Sequence, residues 1–222
     1  MSHDARGTSC RAELDAVVVD VETPQGLARV HLHHAEKDSL GMLVLGHGAG
    51  GGIGARDLVA AARAARSVGV SVALVEQPYR VVGRRSPAPA RQLDSAWAAV
   101  VEHLGATTLA TRPLVVGGRS SGARVACRTA EEVGAVGVLC LAFPLRPPGR
   151  DDAAGRLPEL ESVPVPVLVV QGARDPFGIP PAGAGRTVVE VAGDHSLRSD
   201  LGSIEAAVSD WLHTMLRGHV SD

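Results

Sequence analysis

The chain runs to 222 residues and is close to neutral, with 22 Lys and Arg against 24 Asp and Glu for a formal charge of −2. That length suits a single domain with its own core, and the even charge, with only two Trp, two Phe and one Tyr, offers neither the basic surface nor the stacking platform of a nucleic-acid binder. No apolar run approaches the roughly 18 to 20 residues of a membrane span, and three cysteines without close spacing argue against a disulfide framework or thiolate metal site and for a reducing, cytoplasmic setting.

Residues 1–11 read as a loose tail without the apolar run of a signal peptide, ahead of one domain over 12–222. Strand-like 14–21 and 27–33 flank Thr23-Pro24-Gln25-Gly26, which predicts an antiparallel hairpin at a sheet edge. The wholly apolar 42–45 suits a buried parallel strand. A glycine-rich loop follows over 46–54, then a helix with a small face over 55–68 and a strand over 71–75. Residues 77–89 read as loop, and 90–104 as a helix with Leu93, Trp97, Val100, Val101 and Leu104 at helical spacing.

Next come strand 113–116, helix 120–131 and strand 137–141. The Pro, Gly and Arg-rich connection 143–164 could form a small lid loop. Strands 165–170 and 187–191 follow, and helix 201–216 closes the chain with a stripe of Ile204, Val208, Trp211, Leu212 and Met215. Short apolar strands alternating with helices predict an α/β architecture: a mostly parallel sheet, helices on both faces and an N-terminal antiparallel hairpin.

The segment Gly118-Arg119-Ser120-Ser121-Gly122 stands between a strand and a helix, the context in which Gly-x-Ser-x-Gly forms a nucleophile elbow. Such a serine sits at positive φ, and its neighbours two positions away must be tiny because strand and helix nearly touch. Gly118 and Gly122 meet that condition for Ser120; Ser121, between Arg119 and Ala123, fails it. Asp175 follows one later strand and His195 the next, the chain order of orienting acid and general base. Asp194 is a weaker candidate orienter, because adjacent side chains diverge. The amide of Ser121, at a helix N-terminus, and that of Ala49, with Gly50 as alternate, are candidate oxyanion donors. His47 reads as a brace for the loop that carries Ala49.

Arginines at 80, 84, 85, 119, 146, 150 and 174 all map to connections leaving the carboxyl ends of predicted strands, with Asp151, Asp152, Glu159 and Glu161 the main acids there. A positive site mouth and a small, anionic acyl substrate are one expectation, with Tyr79, Arg80, Arg84, Arg119, Arg146, Phe177 and Gly50 as candidate contacts; solvated arginines are the plainer one. Gly46-His47-Gly48-Ala49-Gly50-Gly51 also fits Gly-x-Gly-x-x-Gly, with Glu76 at the end of the next strand, and keeps a nucleotide-binding alternative open. His31, His33 and His34 lack matching acids or cysteines nearby, so they read as a solvated edge-strand face and no metal or organic cofactor is expected.

The His-Gly loop at 47–48, the Ser120 elbow, the late Gly172-Ala173-Arg174-Asp175 and the final Gly193-Asp194-His195 together resemble the α/β-hydrolase superfamily over about residues 14–217. The chain is especially similar to its small, lid-poor branch, which contains dienelactone-hydrolase-like proteins and the testis-expressed 30 and KAT8-complex subunit 3 group. The resemblance implies Ser120 as nucleophile, Asp175 as acid, His195 as base and the amides of Ala49 and Ser121 as oxyanion donors. It departs from the dienelactone hydrolases proper, which carry cysteine at the elbow. Some members of the closer group are scaffold subunits, which leaves a catalytically silent interaction protein as an alternative.

Overall fold

The computed structural model describes residues 16–35, 39–109, 112–147 and 155–218. Cys10, the 1–11 tail, and Arg150, Asp151 and Asp152 lie outside them. One eight-stranded sheet runs in the order β1-β2-β4-β3-β5-β6-β7-β8. The strands are β1 (Val17–Thr23), β2 (Gly26–His33), β3 (Gly41–Gly46), β4 (Val70–Glu76), β5 (Leu114–Arg119), β6 (Gly137–Leu141), β7 (Val167–Gly172) and β8 (Arg186–Val191). The expected hairpin is β1–β2, and β2 also pairs antiparallel with β4; every later pairing is parallel. After β3 the chain goes to one side for β4 and to the other for β5. The cleft between the carboxyl ends of β3 and β5 is therefore the topological switch point, where open α/β sheets place their ligands.

Helices α1 (Arg56–Ser67) and α6 (Leu201–Arg217) cover one face of the sheet; α3 (Ala90–Leu104), α4 (Ser121–Thr129) and the short α5 (Leu157–Glu161) cover the other. Period-two alternation in the strands sorts their side chains between these layers. Leu43, Leu45, Val72 and Leu74 meet α1 and α6, while Met42, Val44, Ala73 and Val75 join the α3 and α4 layer. Leu43, Leu45 and Trp97 are fully buried, and each such leucine contributes about 2 kcal/mol of transfer free energy. Every residue of the expected α3 stripe is buried. In α6 the buried row is Ile204, Val208, Leu212 and Leu216, with Trp211 and Met215 packed at its margin.

Two α-helices were not anticipated. A four-residue helix, α2 (Pro78–Val81), interrupts the loop after β4, and α5 lies within the 143–164 connection. Both begin with proline at the first or second helical position, where its missing N–H costs nothing. The centre of that connection lies outside the described residues. The histidines of β2 also differ from expectation. The strand is flanked by β1 and β4 rather than lying at the sheet edge, His33 is buried rather than solvated, and His31 Nε2 lies 3.4 Å from Glu76. Behind α4, Cys127 and Cys140 of β6 bring their Sγ atoms to 3.5 Å, both as free thiols.

Candidate active site

Ser120 stands between β5 and α4 with φ 52° and ψ −107°, a strained conformation for a residue bearing Cβ. Its amide donates to the Leu141 carbonyl (2.9 Å) and its carbonyl accepts from Arg124, which fixes the turn from both sides. The flanking glycines are required sterically. A Cβ at Gly118 or at Gly122 would collide with the carbonyl oxygen of Gly46. All three glycines therefore belong to one close approach of β3, β5 and α4.

His195 and Asp175 converge on this serine. Ser120 Oγ lies 3.0 Å from His195 Nε2, and His195 Nδ1 lies 2.8 Å from Asp175 Oδ2. The carboxylate accepts on one side, so Nδ1 carries the proton and Nε2 is left to accept from the serine hydroxyl. Asp175 is nearly closed to water and its other oxygen accepts from the Phe177 amide at 2.9 Å. The Phe177 ring stacks on the His195 imidazole with centroids 4.2 Å apart. Asp194 does not compete as orienter: its Oδ1 accepts from the amide and hydroxyl of Ser196.

Gln171, at the end of β7, is a partner that the sequence reading passed over. It is fully buried, and its Nε2 lies 2.8 Å from Asp175 Oδ2, 3.1 Å from the Phe143 carbonyl and 3.0 Å from that of Gly178. Three surrounding acceptors fix the amide's orientation with nitrogen inward. The available signal was a polar residue inside the apolar run Val167-Leu168-Val169-Val170 and Gly172.

The glycine-rich loop after β3 lies against the serine: a Cβ built on Gly48 would come 3.6 Å from that of Ser120. His47 braces this loop. Its Nε2 accepts from the Gln77 amide at 3.2 Å, so Nδ1 carries the proton and donates to the Gly48 carbonyl at 2.9 Å. Burial pushes His47 below the ordinary histidine value, which favours this neutral form. Tyr79, expected to meet substrate, is buried, and its hydroxyl donates to the Ala49 carbonyl at 3.1 Å. Both peptide planes flanking Ala49 are thereby oriented. Gly50 is exposed at the loop tip. Glu76, the acid of the nucleotide-binding alternative, faces His31 instead.

Arg119 turns away from the site mouth. Its Nε forms an ion pair with Asp57 Oδ2 at 2.8 Å and its Nη2 donates to the His195 carbonyl at 3.0 Å. Arg80 and Arg84 remain near the loop: Arg80 Nη1 lies 3.4 Å from the Arg84 carbonyl, and the Arg84 side chain is exposed. Arg146 is exposed beside Gly178, its amide bonded to the Phe177 carbonyl. Among the described residues, no three His, Cys, Asp or Glu side chains converge as a metal site, and no helix is long and apolar enough to cross a membrane.

No curated protein matches the chain in sequence. Similar solved structures include a serine hydrolase without lid from Xanthomonas campestris (22% identity, 90% of this chain and 94% of that one, TM-score 0.71). Est1E from Butyrivibrio proteoclasticus with bound ferulic acid (16%, 90% and 99%, 0.73) and a dienelactone hydrolase from Anabaena variabilis (16%, 90% and 97%, 0.70) share the same fold. The family model for the alpha/beta hydrolase domain matches residues 39–207. Its span takes in the glycine loop, the strained serine, the buried acid and the histidine, and the chain belongs to the alpha/beta hydrolase family.

Proposed function

We propose that the protein is a serine hydrolase that cleaves a small carboxylic ester or related acyl compound through an acyl-enzyme on Ser120. The observation that carries this reading is the continuous hydrogen-bond chain Asp175–His195–Ser120, ending on a hydroxyl held at positive φ. His195 Nε2 takes the hydroxyl proton as Oγ attacks the acyl carbon. Asp175 stabilises the imidazolium that forms, and Gln171 and the Phe177 amide hold Asp175 in place. His195 then protonates the leaving group, and a water repeats the sequence on the acyl-enzyme.

The amides of Ala49 and Ser121 are the proposed oxyanion donors. In a trans peptide N–H and C=O point opposite ways. The Gly48 carbonyl faces the His47 ring, so the Ala49 amide is directed away from it. Ser121 opens α4, where the first amides lack intrahelical partners and the dipole favours negative charge. This chemistry requires no metal or organic cofactor, so activity is expected to survive exhaustive chelation.

For substrate class we favour an anionic acyl compound. Arg80 lies 3.9 Å from where a Cβ on Gly52 would stand, and its Nε is buried without a hydrogen-bond partner among the described residues. Arg84 and Arg146 add positive charge nearby, and Gly50 and Phe177 are the remaining proposed contacts. The narrower placement, in the dienelactone-hydrolase-like and testis-expressed 30 branch, rests on the sequence motifs, and a cytoplasmic location rests on the cysteine usage. A fluorophosphonate probe followed by peptide mapping tests the hydrolase reading: Ser120 is labelled, and Ser120→Ala loses turnover by orders of magnitude with its urea midpoint kept. A wild-type protein that neither reacts nor turns over an ester panel would identify a silent fold. Comparing neutral and carboxylate-bearing esters of equal size tests the anionic class; preference for the neutral ester at all salt concentrations removes it.

A further inference from the structure

Resting on the hydrolase reading, we infer that Arg119 and Asp57 are positioning residues for the general base, acting as a buried strut between helix α1 and the backbone of His195. The ring of His195 is held on three sides, by Asp175, Ser120 and Phe177. Its main chain belongs to an irregular segment, with Gly193 at φ 129° and Leu197 at φ 48°, so no ladder of strand bonds holds it. Arg119 supplies a hold there, through the 3.0 Å bond from Nη2 to the His195 carbonyl. Because Arg119 directly precedes Ser120, one side chain ties the backbone beside the nucleophile to the backbone of the base.

Asp57 anchors the other end. Its carboxylate is 1% exposed and lies 2.8 Å from Arg119 Nε, while its Oδ1 accepts from the Leu58 amide at 3.0 Å in the first turn of α1. The contact with Nε is an ion pair off the hydrogen-bond line. Burial raises the Asp57 carboxyl above its ordinary value and the guanidinium opposes that shift. Arg119 Nη1 also lies 2.9 Å from where a Cβ on Gly48 would stand. The oxyanion loop, the elbow, the base and α1 therefore meet at one guanidinium. With its Nε and Nη2 engaged inward, this arginine is not the fork for a substrate carboxylate. A strut of this kind acts on the geometry of proton transfer. Its loss lowers the chemical rate and leaves substrate binding unchanged.

The test compares Arg119→Met, Arg119→Lys and Asp57→Asn with Arg128→Met, a control on the far side of α4. Each is measured for fluorophosphonate labelling rate, for kcat and KM on p-nitrophenyl acetate, and for urea midpoint. Arg119→Met and Asp57→Asn are expected to lower the labelling rate and kcat about ten- to a hundredfold with KM within about twofold. Arg119→Lys retains charge for Asp57 and recovers part of the rate. Arg128→Met keeps wild-type kcat even where its midpoint falls as far. If Asp57→Asn does not fold, the two Arg119 variants decide. Wild-type kcat in both Arg119 variants, or a kcat loss that follows urea midpoint across the whole set, overturns the strut. A wild-type protein that reacts with neither probe nor ester removes the hydrolase reading itself and the strut with it.

Discussion

Two arginine–carboxylate clusters, one joining the end of β5 to α1 and one on α4, differ in setting more than in chemistry. Arg119 and Asp57, before the helix, have side chains 18% and 1% exposed. Arg124 and Arg128, on the helix, grip Glu159 and Asp94 in fork geometry at 2.5 to 2.9 Å, with side chains between 20% and 27% exposed. A pair that water still reaches is worth about 1 kcal/mol, because water screens it and ordering long side chains offsets the attraction. A buried charge stripped of its partner costs about 3–5 kcal/mol. Arginine–carboxylate pairing therefore serves as a fastener between α3, α4 and α5 on one side and as a geometric constraint on the catalytic edge on the other.

The difference breaks hardest at the buried acid. Asp175→Asn is expected to lower kcat about ten-thousandfold, because an amide no longer holds His195 in the Nδ1-protonated form; steady-state kinetics check this, and a loss under tenfold would deny Asp175 its role. Gly122→Val comes next. Its Cβ meets backbone at Gly46 and His47 rather than the movable end of a side chain, so a fall of about 3 kcal/mol in unfolding free energy is expected by urea titration.

Buried and exposed titratable groups also separate by pH. Burial lowers His47, and likewise His33, below the ordinary 6.5. Between the lowered folded value and 6.5 the unfolded chain binds more protons than the folded one. Their stabilisation is thus full above that window and lost as pH falls through it, with a slope of up to about 1.4 kcal/mol per pH unit for each histidine. Asp57 has the opposite sign. Its raised carboxyl makes its cost appear as pH rises from 3.8 upward. Urea midpoints between pH 7 and 5 should fall, and His47→Gln should flatten that fall. The smallest effect belongs to the part-buried cluster: Arg128→Met should change stability by about 1 kcal/mol and leave kcat at the wild-type value.

The residues legible in the sequence were those whose constraint is local. Ser120 announces itself through glycines two positions away, which the contact with Gly46 demands. The stripe of α3 follows from period alone. Arg119 was legible in position and not in direction, since a long side chain at a sheet edge reaches outward or inward with equal local ease, and the partner that decides, Asp57, lies 62 positions earlier in the sequence. Gln171 was hidden for a similar reason: one polar residue closing an apolar strand gives no hint that three acceptors will surround it. Helices of four and five residues make little more than one 3.6-residue turn, too few for a periodic pattern to recur.

The sulfur pair behind α4 turns the protein into its own stopwatch. Cys127 is 4% exposed and Cys140 fully enclosed, and contact between the thiols, together with burial, raises the Cys140 thiol well above its ordinary value. A thiol so placed reacts with an alkylating reagent only when α4 lifts from β6. The rate of modification at these two positions, resolved from Cys10 by peptide mapping, thus reads how often the helix that presents the nucleophile leaves its seat. That frequency belongs to this one substructure and need not equal the frequency at which the whole chain unfolds.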